Sequence, residues 1–340
     1  MSNVFFLKLA RENNNGLCNQ LLSLVSGILF CIRTKKELLI VDKFLTEINT
    51  NSYCSLSQVF NLFEMNNYLR NYNLRIVDGF TINSSAFRPI SWDVITLAKK
   101  HNNRRLLAFI DEIYSNLHFS KYLISYALNF IGEKLNFEPM NFNEIIDNLD
   151  NGDNLDNLDT GDNVDNLDNI DNLNNDRNFD NGDNVINGDT DESIEYNNQK
   201  INVIHLRIEN DGIEHWSNQN NMNPNAFKRL LTIKYMQLIK NNIQKEDITI
   251  ILTGDTNNDV VQYMKENEYN ITFIDKKFND NQPGRELNAI IDLIVGRYCN
   301  NVFIGCDGST FSELLLKYIP DETEFGNVEK ITFDLNNILV

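Results

Sequence analysis

Between residues 200 and 340 short apolar runs alternate with longer amphipathic ones, and this alternation restricts the fold more than any other feature of the chain. Ile201–Ile208, Ile248–Thr253, Ile271–Ile274, Val302–Gly305 and Lys330–Asp334 read as strands. Asn225–Ile243, Asp259–Asn267, Glu286–Tyr298 and Ser309–Ile319 read as the helices between them. Such a succession predicts a parallel sheet covered by helices on both faces, with ligands beyond the carboxyl ends of the strands. The first half follows a looser, helix-rich version of the same rule. Strands are expected at Val4–Leu9, Leu38–Val41 and Leu74–Val77. Helices are expected at Leu17–Arg33 and Ser55–Arg70, and a mostly helical path from Trp92 to about Leu135.

A segment of different chemistry separates the halves. From Asp147 to Asp171 an aspartate stands at every third position, mostly followed by Asn and then Leu, Val or Ile, and the pattern decays towards Gln199. A period of three fits neither helix nor strand. Recurring glycine, aspartate and aliphatic residues also occur in calcium-binding or solenoid arrays. The favoured reading is a disordered low-complexity linker, which buries too little apolar surface to offset its ordering entropy. Glu144 to Glu195 hold seventeen acids and one base, so this stretch carries −16 of the formal charge of −18. The acidity therefore belongs to the segment, and it speaks against nucleic-acid binding there. In so acidic a stretch the triplet Asp189-Thr-Asp191 is a poor metal-binding motif, and no metal is expected. The predicted organisation is an α/β domain over residues 1–143, an insertion over 144–199 and a second α/β domain over 200–340.

The start of the chain, Met1 to Glu12, lacks the basic region, apolar stretch and cleavage site of a secretory leader. The longest apolar run, Leu21 to Ile32, is interrupted by Ser23, Ser26 and Gly27 and is too short for a membrane span. Cys18, Cys31, Cys54, Cys299 and Cys306 form neither a paired framework nor a ligand cluster, which fits free thiols in a reducing compartment. A cytoplasmic protein is expected. The Asn/Asp expansion fits an AT-rich genome, including that of a large DNA virus.

Four short runs carry chemistry. Gly16-Leu-Cys-Asn-Gln20 stands at a strand-to-helix turn, where free N–H groups attract anions and Asn19 and Gln20 add amides; a plain helix start would look the same. His205-Leu-Arg207 ends the strand from Ile201, with Val203, His205 and Arg207 on one face. Arg207 offers a fixed fork of donors suited to a diphosphate, or to a structural carboxylate. Thr253-Gly-Asp255 follows another apolar strand, and Asp255 could reach a ribose or base or could serve the next helix as a cap. In Gly305-Cys-Asp-Gly-Ser309-Thr310-Phe311-Ser312 glycines make the turn and hydroxyls open a helix, the chemistry of a phosphate cradle or of an N-capped helix. No lysine follows as in a P-loop, and no G-x-G-x-x-G is present, so NTP hydrolysis and dinucleotide binding are poor fits.

G-x-x-N-Q, H-x-R, an apolar strand ending in T-G-D and a turn with S-T-F-S stand in the order seen in the fucosyltransferase superfamily. That superfamily, which the chain resembles, includes protein O-fucosyltransferases and α1,2- and α1,6-fucosyltransferases. The resemblance implies two Rossmann-like domains facing a cleft in a GT-B-like fold, with the acceptor on the side of the first and the nucleotide sugar on the second. It further implies an inverting, metal-independent transfer of a sugar, GDP-fucose being the favoured donor, to a hydroxyl of a glycan or glycoprotein. No other cofactor is implied. Arg207 would bind the β-phosphate and stabilise the departing diphosphate, with His205, Ser309, Thr310 and Phe311 around the nucleotide. Asp292, seventeen residues before Ser309, would meet the guanine; Gly16, Asn19 and Gln20 would face the donor from the first domain. Glu209, which strand alternation puts on the face of Arg207, is a candidate general base, as are Asp211, Glu214 and Glu12. The run Ile208-Glu-Asn-Asp211 departs from the R-x-D of several branches, and Gly212 to Trp216 has no counterpart in the pattern. Two readings of other classes stand beside this one. One is a catalytically inactive nucleotide-sugar or glycan-binding protein on the same fold; the other is a structural or scaffold protein served by the acidic repeat.

Overall fold

The structure, a computed structural model, is described for residues 3–9, 16–47, 51–82, 85–135, 199–274, 284–323 and 326–338. The acidic repeat, the Asp189-Thr-Asp191 triplet and Glu12 lie outside the described residues. Residues 1–138 and 198–340 belong to one compact unit.

In the first half the strands are β1 (Val4–Leu7), β2 (Leu38–Val41), β3 (Phe44–Glu47), β4 (Ser52–Cys54) and β5 (Arg75–Asp78). β1, β2 and β5 form a parallel sheet in that order, with the wholly apolar β2 in the middle. The helix Leu17–Arg33 has the predicted bounds and buries Leu21, Leu24, Val25, Ile28 and Leu29, the spacing of one helical face.

In the second half the strands are β6 (Ile201–His205), β7 (Ile248–Leu252), β8 (Ile271–Thr272), β9 (Val302–Asp307), β10 (Glu322–Thr323), β11 (Gly326–Asn327) and β12 (Glu329–Asp334). The large sheet runs β12-β9-β6-β7-β8 and all its pairings are parallel. The chain builds outward from β6 to β7 and β8, then crosses back to lay β9 and β12 on the other side. The direction reverses between β6 and β9, and that crevice is where such sheets take ligands. β6 is buried along its whole length, as a central strand covered on both faces requires. One cover is the helix Pro224–Asn242, which presents Phe227, Leu231, Tyr235 and Ile239 at every fourth position to Ile204, Leu206, Ile251 and Ile304.

Tertiary packing overrides local pattern in three places. The helix expected over 55–70 is two, Leu56–Val59 and Leu62–Leu69, because Phe60 turns extended. Its ring stacks on Phe119 at 5.7 Å and meets Phe44 edge-on at 6.4 Å, contacts that a continuous helix would forfeit. The stretch from Trp92 is three helices, Asp93–Lys100, Arg104–Ser115 and Lys121–Leu135. Residues after Ile208, where no helix was expected, form the helix Asn210–Gln219.

The antiparallel hairpin of β3 and β4 was not apparent from periodicity, and it joins the two halves. Gln20 is wholly buried; its amide donates to the Leu45 carbonyl at 2.9 Å and accepts from the Leu45 N–H at 2.8 Å. On the other side of the hairpin, Gly284 opens the helix Arg285–Gly296 against Thr46, where a Cβ would stand 2.1 Å from the Thr46 carbonyl oxygen. Only glycine permits that approach. Gln20→Leu, which leaves both Leu45 groups buried and unpaired, should lower the unfolding free energy by about 2–4 kcal/mol in a urea titration. An unchanged midpoint would show that the hairpin does not depend on this amide.

Candidate functional site

β6 leaves its ladder after His205, where the backbone is still buried and must find partners. Tyr235, fully enclosed, supplies them: its hydroxyl donates to the His205 carbonyl at 2.9 Å and accepts from the Arg207 N–H at 3.1 Å. This holds the strand end from which the His205 and Arg207 side chains leave.

Next to it β9 ends at Asp307 and turns at Gly308, whose φ of +90° side chains rarely adopt. A Cβ at Gly308 would also stand 3.2 Å from Asn336 Nδ2 and 3.5 Å from Trp216 Nε1. Ser309, buried, is the N-cap of the helix Thr310–Tyr318, and its side chain makes no capping bond. Ser312 lies one turn on; its Oγ is 2.7 Å from His205 Nδ1 and accepts the Cys306 N–H at 3.2 Å. Phe311 sets its ring 5.0 Å from the His205 imidazole. The two motifs, a hundred residues apart in sequence, thus meet at the reversal point of the sheet. Thr310 is exposed at the helix start.

Arg207 is engaged from two sides. Its Nη1 donates to Glu209 at 2.7 Å, while Nη1 and Nη2 reach the two Asp211 oxygens at 3.1 and 2.9 Å, a bidentate pair. The Trp216 ring lies 5.5 Å from the guanidinium. The other Glu209 oxygen accepts the Gly254 N–H at 3.0 Å, which ties the Thr253-Gly-Asp255 turn to the arginine. Burial opposes the charge on Arg207, yet the two carboxylates overcome it and hold the guanidinium more firmly protonated. Burial would also raise the Glu209 carboxyl, but the Arg207 charge and the hydrogen bonds from Arg207 and Gly254 hold it below its usual range. The bond from Arg207 does the same for Asp211. In this arrangement Glu209 and Asp211, the candidate bases, are both partners of Arg207.

At the Gly16 turn the first N–H of the helix already has a partner within the chain. Glu286, 3% exposed, reaches from the helix Arg285–Gly296 and accepts the Leu17 N–H at 2.5 Å. Burial raises its carboxyl. Gln20 faces inward onto Leu45 and not toward a donor, and Asn19 is half-buried on the first turn. Cys18 hydrogen-bonds Thr310, which brings this turn against the Ser309 turn; its thiol is pushed up to about 12, chiefly by burial.

Asp255 closes a turn, accepting the Asn257 N–H at 2.9 Å, and the cap of the next helix is Asn258, which accepts from Val261 N at 3.0 Å. Asp292 is buried within the helix Arg285–Gly296, not on a solvated face. All five cysteines are free. Among the described residues no group of three or more His, Cys, Asp or Glu is placed to hold a metal, and no helix is long and apolar enough to cross a membrane. A pocket at the end of β12, lined by Lys234, Phe333, Asp334 and Ile338 among others, contains none of these site residues.

Four contributors were not singled out from sequence: Tyr235, Trp216, Ser312 as the partner of His205, and Glu286. A signal existed for Tyr235, because a tyrosine inside an apolar stripe needs a partner for its hydroxyl. Trp216 carried no such signal, because Arg207 lies outside the helix Asn210–Gln219 that bears it.

Tyr235→Phe should cost about 1–3 kcal/mol in chemical denaturation, since it strands the Arg207 N–H in the interior. Carboxyls held low in the folded state contribute stability that is present above their unfolded values, near 4, and is lost as pH falls through the folded ones. Unfolding titrations from pH 7 to pH 3 should therefore show a shallower acid loss for Glu209→Gln than for the unaltered protein. Parallel curves would mean that the Arg207 pair adds nothing to the fold.

No family model matches the chain, and no curated protein matches its sequence. Among solved structures it is similar to the crystal structure of POFUT1 in complex with GDP, at 9% identity over 98% of each chain, with a TM-score of 0.48. It is also similar to the apo form of POFUT1, at 10% identity over 94% of this chain and 99% of that one, with a TM-score of 0.46.

Proposed function

We propose that the protein is a glycosyltransferase of the fucosyltransferase-like kind, which binds a nucleotide sugar in the crevice between β6 and β9 and transfers the sugar to a hydroxyl of a glycan or protein. The meeting of His205-Leu-Arg207 with the Gly308–Ser312 turn at the reversal point of the parallel sheet carries this reading. In this reading the two sheets are the two halves of a GT-B-type enzyme, and GDP-fucose is the donor favoured by the order of the motifs.

The residues suit the electrostatics of such a transfer. Displacement at the anomeric carbon leaves charge on the departing diphosphate, and that charge needs a fixed cation where no metal serves. Arg207 is such a cation, permanently charged and backed by Trp216. The start of the helix Thr310–Tyr318, uncapped by Ser309, adds N–H donors and the positive end of its dipole. His205, oriented by Ser312 and Phe311, takes the place beside the nucleotide. Inversion without a metal follows from these roles as part of the proposal. Free thiols suit the cytoplasm as its place.

Thermal stabilisation by GDP should exceed that by UDP, CMP or ADP, and Arg207→Ala should remove most of it. In a panel of sugar nucleotides the protein should release nucleoside diphosphate fastest from GDP-fucose. Equal stabilisation by all four nucleotides would remove the support for guanine and with it for fucose. Nucleotide binding without any turnover in the presence of glycan and peptide acceptors would make the chain a binding protein.

A further inference from the structure

The carboxylates on Arg207 are not equivalent. Glu209 is held at both oxygens, by the guanidinium at 2.7 Å and by the Gly254 backbone at 3.0 Å, and its side chain is only 27% exposed. Asp211 takes the two-pronged face of the guanidinium, and its side chain is 59% exposed. A planar fork of N–H donors accepts a carboxylate and a phosphate in the same way, through two parallel bonds. The outer carboxylate therefore covers the donors that a diphosphate would use.

We propose that Asp211 is an internal stand-in for the donor's phosphate on Arg207, displaced when a diphosphate binds, while Glu209 stays in place and positions the guanidinium. This rests on the reading of Arg207 as the diphosphate ligand. Release of Asp211 costs little. It lies in the first turn of the helix Asn210–Gln219, where a negative charge is favoured, and the charge of Arg285 is close enough to stabilise it. Glu209 keeps its bond to Arg207 throughout, so the guanidinium stays paired while Asp211 and the diphosphate exchange. Bound as it is, Arg207 prefers ligands that bring two oxygens and more than one negative charge, which selects diphosphates over singly charged anions.

The exchange predicts an unusual sign. If Asp211 merely supported Arg207, its removal would weaken binding; if it competes, removal strengthens binding. Calorimetric titration with GDP should be run on the full chain as it stands and on Asp211→Asn, Arg207→Ala and the double variant, with Asp211→Ser as a second substitution at the exposed position. Asp211→Asn should bind GDP about two- to five-fold more tightly, the worth of a partly exposed ion pair. The gain should vanish in the Arg207→Ala background, and Glu209→Gln should bind more weakly.

Unchanged or weaker binding in both Asp211 variants, with Arg207→Ala still harmful, would overturn the exchange and leave the donor-site reading standing. A gain that persists without Arg207 would be a general effect of charge and would also overturn it. GDP ignored by every variant would overturn both.

Discussion

A single buried hydroxyl, that of Tyr235, holds the strand end on which the candidate site is built. A parallel strand that leaves its sheet in the interior exposes backbone groups to a medium without water, and each unpaired group there costs about 1–3 kcal/mol. Tyr235 binds both sides of Leu206, the His205 carbonyl and the Arg207 N–H. It stands in for the missing neighbour strand, and it fixes the backbone from which the two polar side chains project. Because Tyr235 is also part of the apolar stripe of Pro224–Asn242, the site is coupled to the packing of the sheet.

The joint between the halves follows the same logic of satisfied backbone. Gln20 gives both ends of its amide to Leu45, Glu286 gives a carboxylate oxygen to the first N–H of the helix Leu17–Arg33, and Gly284 yields space to Thr46. The G-x-x-N-Q run is thereby a structural element as much as a chemical one. Its glutamine belongs to the hairpin, and the first N–H of its helix already has a carboxyl partner. What it offers the crevice is position: Cys18 against Thr310 places the first half beside the turn that follows β9.

Around Arg207 the same side chains serve two ends. Ion pairing keeps a partly buried cation compensated and anchors the Gly254 turn, and it leaves the guanidinium preorganised beside Trp216. It also holds the Glu209 and Asp211 carboxyls below their usual range. Burial acts in the opposite direction on Glu286, which lies at the joint. The two environments push carboxyls apart in proton affinity.

The sequence by itself determined the strands of the two parallel sheets and the helices that cover the larger one, because burial on both faces demands apolar runs of strand length and burial on one face demands helical spacing. Leu17–Arg33 and Leu38–Val41 are legible to the residue. The motif residues at strand ends were legible for the same reason, since a parallel sheet exposes its carboxyl ends. Only the tertiary structure decided which partners those residues have. The bond from Gly254 to Glu209 spans 45 residues and that from Leu17 to Glu286 spans 269. Local periodicity reaches a few residues along the chain, whereas the order of strands in the sheets brings such distant groups together. The split helix at Phe60, which meets Phe119, and the hairpin at Leu45, which Gln20 holds, follow from contacts between residues distant in sequence, whereas the carboxylates on Arg207 stand only two and four residues along the chain.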